Sequence, residues 1–285
     1  MQLTVSFAIK SIISGLSIMK NKVAVIIPFY KDGLTPYESI AIQQCFKMLS
    51  AYPVLAIKPQ SLQLSTEITA YPFADTISFD DDYFKDVQGY NRLMMDEAFY
   101  GAFLDYEYIL IYQLDAFIFS EELAYWCDRD VDYIGAPWIT PRDYPDMIKA
   151  IKSHLQYYFH TRYDVYKDGL PSDKQFDYKV GNGGFSLRRT KKFYNICRAQ
   201  KEKIAFYNER DSHLFNEDIF WSVEVNRKRK VLRIPNWKTA LGFSIEFAPA
   251  RALNITKGKL PFGCHAWDRH LDAWRPIFKE YGYSI

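Results

Sequence analysis

The start of the chain alternates strand-like and helix-like segments, and this order constrains the fold more than any other feature. "VAVIIPFY" (residues 23–30) is rich in β-branched residues and predicts a buried strand. "TPYE" (residues 35–38) has the pattern of a helix N-terminus with a capping box. "PVLAIKP" (residues 53–59) follows as a second short strand. A strand, a helix and a strand in this order predict the opening of a parallel α/β sheet.

The rest of the chain continues this pattern with one irregular segment. The sequence predicts a helix in "GYNRLMMDEAFYGAFL" (residues 89–104) and a strand in "DYIGAPW" (132–138). Between them, "YILIYQLDAFIF" (108–119) is a strand-like run in which the central strand is expected to end with Gln113-Leu114-Asp115. Residues 139–179 are polar and rich in tyrosine and keep no clean period, so we interpret them as an insertion or lid. We find no internal repeat and no second core. The fold class that follows is a single α/β domain with a mostly parallel central sheet flanked by helices.

The first 18 residues differ from this pattern. They are mildly apolar, and Lys10 interrupts them, so they are too short and mixed for a membrane span of about 20 apolar residues. They also lack the basic segment and cleavage site of a secretory signal. Met19 stands directly before the first predicted strand. We expect residues 1–18 to be an extension outside the fold or a weak interfacial helix, and residues 19–285 to form the domain.

Composition excludes some classes of function. The net charge is +2, from 36 basic and 34 acidic residues, which argues against a nonspecific nucleic-acid binder. Aromatic residues make up 17% of the chain, which suits a surface that stacks on sugars or bases, although aromatic cores are common too. The four cysteines are scattered without a CxxC pair, which argues against a zinc site and favours a reduced, cytoplasmic chain.

A carboxylate interrupts the apolar run of residues 108–119. Gln113 and Asp115 are two positions apart and so share one face of a strand. If the strand ends there, both side chains open into the crevice where open α/β sheets bind ligands. Asp115 could then hold a divalent cation that bridges a diphosphate. The alternative is an aspartate that only caps the following turn.

Three further motifs could carry chemistry. "GNGG" (residues 181–184) precedes a strand-like "FSL" and lets the backbone approach a sugar or phosphate, although a tight hairpin would look the same. "NEDIFWS" (216–222) begins a predicted helix with Asn216 as N-cap, so Glu217 and Asp218 are either dipole-favoured acids or a poised general base. "FGCHAW" (262–267) contains His265, which could be a ligand or an ordinary hydrogen-bonded histidine.

Taken in order, these motifs resemble the layout of the GT-A fold glycosyltransferases. The chain is also similar to a bacterial domain family of unknown function that is described as glycosyltransferase-like. The segments that carry the resemblance are "YQLDAFIF", "DYIGAPW", "GNGGFSLR", "EDIFW" and "CHAW", and the similarity spans residues 23–267. The resemblance implies a GT-A-like (Rossmann-like) domain that transfers a sugar from a nucleotide-diphosphate sugar.

The resemblance also implies roles for single residues. Asp115 matches the metal-binding acid, Gln113 stands where the motif has its first aspartate, and His265 matches the late metal ligand. Asp218 matches the acceptor's base, with Glu217 beside it. The remaining implied donor-binding residues are Pro28, Phe29, Tyr30, Asn91, Arg92, Trp138 as a sugar-stacking residue, Gly183 and Gly184.

The implied cofactor is Mn²⁺ or Mg²⁺, and the implied partners are a nucleotide-sugar donor, expected to be UDP-linked, and a glycan or lipid-linked sugar acceptor. The resemblance favours an inverting transferase, although a retaining transferase can share much of this layout, and it places residues 139–179 near the acceptor side. The implied setting is bacterial polysaccharide synthesis, in the cytoplasm or at the inner face of the membrane with peripheral contact. Two alternatives stay open. Gln113 in place of an acid allows a non-catalytic glycan- or nucleotide-binding protein. A sugar nucleotidyltransferase is the other, although "PFYKDG" (residues 28–33) lacks the glycine-rich basic loop that such an enzyme predicts.

Overall fold

A six-stranded sheet forms the centre of the protein. The computed structural model describes residues 22–142 and 144–285, so our expectation for residues 1–18 lies outside the described residues. The strands are, in chain order, β1 (Val23–Pro28), β2 (Val54–Pro59), β3 (Asp75–Phe79), β4 (Tyr108–Tyr112), β5 (Phe117–Ile118), β6 (Tyr133–Ile134), β7 (Tyr166–Lys167), β8 (Leu170–Pro171), β9 (Phe185–Arg189), β10 (Ser244–Ile245) and β11 (Gly263–Cys264).

The central sheet has the order β3-β2-β1-β4-β9-β6. Strand β1 pairs in parallel with both β2 and β4, and β2 pairs in parallel with β3. Strand β9 runs antiparallel to its neighbours β4 and β6. The predicted mostly parallel α/β sheet is therefore confirmed. The chain moves outward from β1 to β3 and then returns to the other side of β1 as β4, so the switch point of the topology lies between β1 and β4.

Helices cover both faces of the sheet. They are, in chain order, α1 (Pro36–Met48), α2 (Thr66–Thr69), α3 (Val87–Met94), α4 (Glu97–Gly101), α5 (Leu123–Asp128), α6 (Met147–Arg162), α7 (Thr190–Ala199), α8 (Lys201–Asn208), α9 (Glu217–Ile219), α10 (Trp237–Phe243), α11 (Pro249–Ile255) and α12 (Leu271–Glu280). Successive residues of a strand point to opposite faces. In β1, Ala24 and Ile26 accordingly join one core cluster, while Val25 and Ile27 join the other.

The start of α1 forms as the sequence predicts. The Thr35 hydroxyl accepts a hydrogen bond from the Glu38 N–H at 3.2 Å, and the Glu38 carboxylate accepts one from the Thr35 N–H at 2.7 Å. Both halves of the capping box are thus present, with Pro36 at the first helical position. The helix then buries Ala41, Ile42 and Cys45 against the sheet.

Three predicted elements are wrong in detail. The predicted helix at 89–104 is broken, because the Asp96 carboxylate accepts a hydrogen bond from the Ala98 N–H at 2.7 Å and begins α4 as a new helix. The central strand, expected to end at Asp115, ends at Tyr112, and the later residues Phe117–Ile118 form β5 in another sheet. Residues 139–179 are less irregular than expected, since they contain the 16-residue helix α6 and the β7–β8 hairpin.

A second, three-stranded sheet lies beside the first. Its order is β10-β11-β5, with β10 and β11 parallel and β5 antiparallel to β11. A third core cluster packs around it and contains Phe117, Trp267, Trp274 and Phe278. This small sheet brings the segments that follow Ile245 and Cys264 to the end of β4. In the part of the chain that the structure describes, no helix is long and apolar enough to cross a membrane.

Candidate active site

The site begins where β4 ends. The Gln113 N–H donates to the Gly184 carbonyl at 2.9 Å, and the Ala116 N–H donates to the Gln113 carbonyl at 2.9 Å, so the chain turns at this point. The Tyr112 hydroxyl fixes the start of this turn through hydrogen bonds to the Ala41 and Ala116 carbonyls. Asp115 therefore stands at the end of a strand, and the charge in the apolar run does not have to be buried inside the sheet.

Two cavities open at this edge of the sheet. The first has a volume of about 480 Å³, and its lining includes residues 28–31, the start of α1, Asp115 and Trp267. The second has a volume of about 490 Å³, and its lining includes Tyr90, residues 182–184, residues 216–218 and His265. Tyr30 and Gln113 line both cavities, and the Gln113 amide donates to the Tyr30 hydroxyl at 3.3 Å. The two cavities thus adjoin at the switch point between β1 and β4, where open α/β sheets bind ligands.

The small sheet supplies a histidine and a second acid. Glu246 and His265 directly follow the paired residues Ile245 and Cys264 of the parallel strands β10 and β11, and the His265 N–H donates to the Ile245 carbonyl at 3.1 Å. The His265 ring is buried at the junction of the cavities. Its Nε2 lies 3.0 Å from Asp115 Oδ1 and 3.2 Å from Gln113 Oε1.

The other ring nitrogen of His265 faces the second cavity. His265 Nδ1 lies 3.2 Å from Glu246 Oε1 and 3.0 Å from the Asn182 amide nitrogen. The charged carboxylate is the stronger partner for an Nδ1–H donor. Burial opposes protonation of the ring, but the Asp115 and Glu246 carboxylates outweigh it and raise the pKa of His265 to about 10. Burial also acts on Asp115, yet the neighbouring His265 lowers the pKa of that carboxyl.

The donor atoms at this junction fit a divalent cation. Asp115 Oδ1 is buried and pairs with the charged His265 ring at Nε2, so a cation would take the place of the Nε2 proton between them. Two ligands at right angles around an ion, each about 2.1 Å away, are about 3.0 Å apart, and the distances from His265 Nε2 to Asp115 and Gln113 are close to this value. An imidazole that donates Nδ1–H to a carboxylate is the usual second-shell arrangement of a metal-bound histidine. The set of protein ligands for such an ion is small. Within residues 22–142 and 144–285, no group of three or more His, Cys, Asp or Glu side chains is suited to hold a metal ion.

The glycine loop, residues 181–184, lies beside His265, and its residues 182–184 line the second cavity together with that histidine. Asn182 adopts a left-handed backbone conformation, with φ of 68°, and its side-chain oxygen accepts hydrogen bonds from the Gly184 and Phe185 N–H groups. A Cβ on Gly183 would overlap the Glu217 carboxylate, and a Cβ on Gly184 would overlap His265 Nε2 and Gln113 Oε1. Glycine is needed at both positions because side chains of the site occupy the space.

A buried ion pair holds this loop from behind. Arg188 on β9 is fully buried, and its Nη2 lies 3.0 Å from Glu217 Oε1 and donates to the Gly183 carbonyl at 3.1 Å. The same guanidinium donates to the Tyr100 hydroxyl at 2.8 Å and the Ser186 hydroxyl at 3.0 Å. Burial raises the pKa of Glu217, and Arg188 counteracts this shift. Glu217 thus connects the glycine loop to the start of α9.

Asp218, the next residue, has a different environment. It lines the second cavity and remains partly exposed, and its Oδ1 accepts the Ile219 N–H at 2.9 Å. Desolvation, followed by the repulsion of Glu217 and Glu246, raises its pKa to about 7. A carboxyl group with a pKa near 7 can take up and release a proton at physiological pH.

The helix that carries these acids departs from the prediction. Helix α9 is a single turn that continues as a π-helix over Phe220–Glu224. Asn216 stands at the N-cap position as predicted, but its side chain does not cap the helix, because its side-chain oxygen accepts a hydrogen bond from the Asn91 amide at 2.9 Å. Asn91 Oδ1 in turn accepts the Glu217 N–H at 3.2 Å. Asn91 therefore fastens the start of α9 from the neighbouring helix α3.

The other predicted site residues divide into two groups. Pro28, Phe29 and Tyr30 line the first cavity. Arg92 and Trp138 are not in the lining of either cavity: the Arg92 guanidinium donates to the Asp82 carbonyl at 3.2 Å, and the Trp138 ring packs against Gly181.

Two residues of the site, Glu246 and Asn182, are absent from the residues predicted from the sequence. Glu246 lies in "SIEFAP" (residues 244–249), which has no catalytic pattern, and only the pairing of β10 with β11 brings it to His265. Asn182 stands inside the glycine motif that we had identified, and an asparagine between glycines is a signal for a left-handed turn. Asn182 could therefore have been predicted from the sequence.

The fold is that of the GT-A glycosyltransferases. The structure is similar to the galactosyltransferase LgtC in complex with donor and acceptor sugar analogues, with a TM-score of 0.53, 13% identity, and coverage of 90% of this chain and 94% of that chain. It is similar to an active-site mutant of LgtC with a TM-score of 0.51, 14% identity, and coverage of 91% and 95%. A weaker similarity, with a TM-score of 0.44, 12% identity, and coverage of 78% and 68%, relates it to the mannosyltransferase Ktr4p from S. cerevisiae in complex with GDP.

The chain belongs to the family described as "Protein of unknown function (DUF5672)", which matches residues 73–265. This segment runs from just before β3 to His265 and contains Gln113, the glycine loop and the Glu217-Asp218 pair. The family description states no activity, so the comparisons support a glycosyltransferase-like fold and not the specific bacterial family that the sequence resembles. No curated protein matches the chain.

Proposed function

We propose that the protein is a metal-dependent glycosyltransferase that moves a sugar from a nucleotide-diphosphate sugar to a hydroxyl group of an acceptor. The observation that carries the proposal is the pair of adjoining cavities at the switch point of a GT-A fold, with Asp115 and His265 at their junction. A nucleotide sugar has two parts joined by a diphosphate. Each of the two cavities could hold one of these parts, with the diphosphate at the cation site where the cavities meet.

The first cavity suits the nucleotide. Tyr30 offers exposed aromatic surface beside the end of β1. Lys31, which pairs with Glu38 at 3.1 Å, adds a positive charge to the lining. The second cavity suits the sugar and the acceptor, because Asn182, Asn216 and Glu246 line it with polar groups that can bind hydroxyls. The glycine loop forms part of the wall of this second cavity, and its glycines leave room for the side chains of Glu217, His265 and Gln113.

Asp115 and His265, with the amide oxygen of Gln113, are the groups that would hold Mn²⁺ or Mg²⁺. Such an ion would supply charge neutralisation for the diphosphate as the bond to the sugar breaks. Gln113 can contribute an oxygen but no charge, so Asp115 provides most of the electrostatic attraction. Glu246 orients the imidazole ring of His265, and its own carboxylate stays in the second cavity.

Asp218 is the group that we assign as the general base. Its proton affinity is suited to accepting the proton of an acceptor hydroxyl as that oxygen attacks the sugar. Glu217 was predicted as catalytic together with Asp218. We now propose that Glu217 positions the glycine loop and the neighbouring Asp218, because it is buried in the ion pair with Arg188. A base on the acceptor is the arrangement that an inverting transfer needs, and we include inversion in the proposal.

We propose a UDP-linked donor, and bacterial surface glycan synthesis as the setting. The UDP donor and the bacterial setting are proposed from the family resemblance, and the proposed sugar transfer does not depend on either of them. A glycan-binding protein without activity is the second candidate, and Gln113 in place of a carboxylate is the residue that favours it.

Calorimetry with UDP in the presence and absence of Mn²⁺ tests the cation site. We expect Asp115→Ala to abolish the Mn²⁺-dependent binding, Gln113→Ala to weaken it, and His265→Ala to fall between them, because a carboxylate can neutralise the charge of the cation and an amide cannot. Asp105→Ala, an exposed acid outside both cavities, is the control and should bind like wild type. Unchanged affinity in Asp115→Ala would exclude the metal role.

A panel of nucleotide sugars separates the candidate functions. A glycosyltransferase should release the nucleoside diphosphate slowly in the absence of acceptor and in a metal-dependent manner. A nucleotidyltransferase would instead consume the nucleotide sugar only with added pyrophosphate. Binding of UDP without any turnover across the panel would favour the non-catalytic protein.

A further inference from the structure

Helix α6 presents its large apolar side chains to solvent. The exposed fraction is 79% for Ile148, 54% for Leu155, 61% for Tyr158 and 69% for Tyr163, which directly follows the helix. Ile151 and Phe159 are also exposed and lie on the same side of the helix. Residues three and four apart share a helix face, so this set forms a continuous strip. A helix of 16 residues makes the strip about 24 Å long.

The side of α6 that faces the protein is polar. His160 Nδ1 lies 2.9 Å from the Ser172 hydroxyl, and the Thr161 hydroxyl donates to the Gln175 carbonyl at 3.0 Å. The buried Ser153 hydroxyl donates to the Tyr157 hydroxyl at 2.6 Å. The helix therefore has the reverse of the usual arrangement, in which the apolar stripe faces the core.

The exposed strip carries positive charge and no negative charge. Lys149 and Lys152 are exposed among the apolar residues, and the sequence from Met147 to Tyr163 contains no aspartate or glutamate. Acids flank the strip at both ends: the carboxylate of Asp146, the N-cap, lies 3.7 Å from Lys149, and that of Asp164, which follows Tyr163, lies 3.1 Å from Arg227. Basic residues beside aromatic and aliphatic residues are typical of helices that lie in a membrane interface.

A second basic segment lies at the C-terminal end of the strip. Arg162 Nη1 donates to the Arg227 carbonyl at 3.1 Å and to the Lys228 carbonyl at 3.0 Å. These bonds fix the exposed residues Lys228, Arg229 and Lys230 beside the C-terminal end of α6. We call the strip of α6 together with residues 228–230 the basic-apolar face.

We propose that the basic-apolar face binds the surface of an anionic lipid bilayer. Its apolar side chains would enter the boundary between headgroups and acyl chains, and the lysines and arginine would face the lipid charges. The combination of an apolar helix and a basic segment provides the two signals that stable peripheral attachment needs. A protein partner of ordinary composition does not explain the uniform sign of the charge. The inference is independent of the proposed reaction.

Flotation of the full chain with vesicles tests this proposal. We expect binding to vesicles of equal parts phosphatidylcholine and phosphatidylglycerol, and little binding to phosphatidylcholine alone. Lys228→Ala/Lys230→Ala should weaken binding more than about tenfold, since each cation near a lipid surface accounts for about fivefold. Ile151→Ser/Leu155→Ser should weaken it to a similar degree. Both double variants change exposed residues, and their melting temperatures should match wild type.

Two matched variants serve as controls. Lys191→Ala/Lys192→Ala removes two exposed lysines of α7, and Tyr125→Ser removes a half-exposed aromatic residue of α5. Both should bind vesicles like wild type. The proposal is overturned by equal binding to the two vesicle types, or by wild-type binding of both double variants. It is also overturned if the face joins two copies of the chain, in which case Ile151→Ser/Leu155→Ser would convert a dimer to a monomer without any lipid binding.

Discussion

Glu217 and Asp218 are neighbours in the chain but are predicted to respond differently to substitution. Asp218→Asn should retain the fold and donor binding and lose at least about 10²-fold in turnover, because a positioned general base typically contributes about 10²–10⁴-fold. The wild-type rate should rise with pH through about 7, since the raised pKa of Asp218 leaves it protonated below that value. Steady-state rates across a pH series measure both effects. Glu209→Gln, an exposed acid, is the control.

Asp218→Asn should also change the stability of the protein. The sign of this change distinguishes an aspartate with a raised pKa from one that only stabilises the end of the helix. The pKa of Asp218 rises from its ordinary value of 3.8 to about 7 in the folded protein. Stability is therefore lost as pH rises from about 3.8 to about 7, and the loss is complete above the folded pKa. Above pH 7, Asp218→Asn should gain roughly 1–3 kcal/mol, because one pKa unit is worth about 1.4 kcal/mol and the group keeps some contact with water. An acid stabilised only by the helix dipole would instead lose about 0.3–1 kcal/mol.

Arg188 is expected to matter for stability more than any exposed arginine. Arg188→Met would leave the Glu217 carboxylate buried without its partner, and loss of one member of a buried ion pair costs about 3–5 kcal/mol. Arg198→Met is the matched control, because its side chain is 60% exposed and its pair with Glu97 lies at the surface. Denaturant unfolding of the two variants measures the difference. Equal losses would show that the Arg188 pair has no special role.

At the scale of elements, the glycine loop is the most restrictive part of the site. Gly184→Ala should weaken Mn²⁺-dependent UDP binding at least about tenfold, because the new methyl group would displace His265 and Gln113 and positioning errors of this size are costly. Gly242→Ala in α10 is the control, since its Cβ would meet the Trp126 ring at 3.6 Å, an ordinary contact. That variant should bind UDP normally and be as stable as wild type or more so. Normal UDP binding by Gly184→Ala would contradict the close contact of Gly184 with His265 and Gln113.

The elements that the sequence predicts well are those with local signals. The strand β1 and the capping box of α1 follow from residues within one short window. The break between α3 and α4 also has a local signal in Asp96, but the apolar pattern of residues 89–104 continues through it and suggests one helix. Helix α6 was missed because its apolar residues face solvent, so its pattern is not that of a helix packed on a core.

The residues of the candidate site also differ in whether a local sequence signal predicts them. Asp115, the glycine loop and Asp218 stand at strand and helix ends that can be recognised in the sequence. Glu246 reaches His265 through the pairing of two-residue strands, and the Arg188–Glu217 pair joins β9 to α9. Such contacts depend on tertiary packing and have no signature in one sequence without aligned relatives.

For the whole molecule, we expect the fold to need no residue before Met19. Strand β1 begins at Val23, and the Lys22 side chain already pairs with Asp128. A chain that starts at Met19 should therefore have the same melting temperature and UDP affinity as the full chain. Calorimetric melting of both chains is the measurement. A melting temperature lower by more than about 4 °C would show that the first residues contribute to the fold, since such a shift corresponds to about 1 kcal/mol or more in a chain of this size.

The antiparallel pairing of β9 with β4 limits where members of this family can gain or lose residues. Leu110 and Ile111 of β4 pair with Leu187 and Ser186, and the Gln113 N–H continues this ladder to the Gly184 carbonyl. One residue inserted between Gly184 and Arg188 would either turn the arginine to the opposite face of the sheet or shift the glycines away from the histidine, depending on which end of β9 keeps its pairing with β4. Length variation among relatives should therefore concentrate in the segment around α6 and be absent from this stretch.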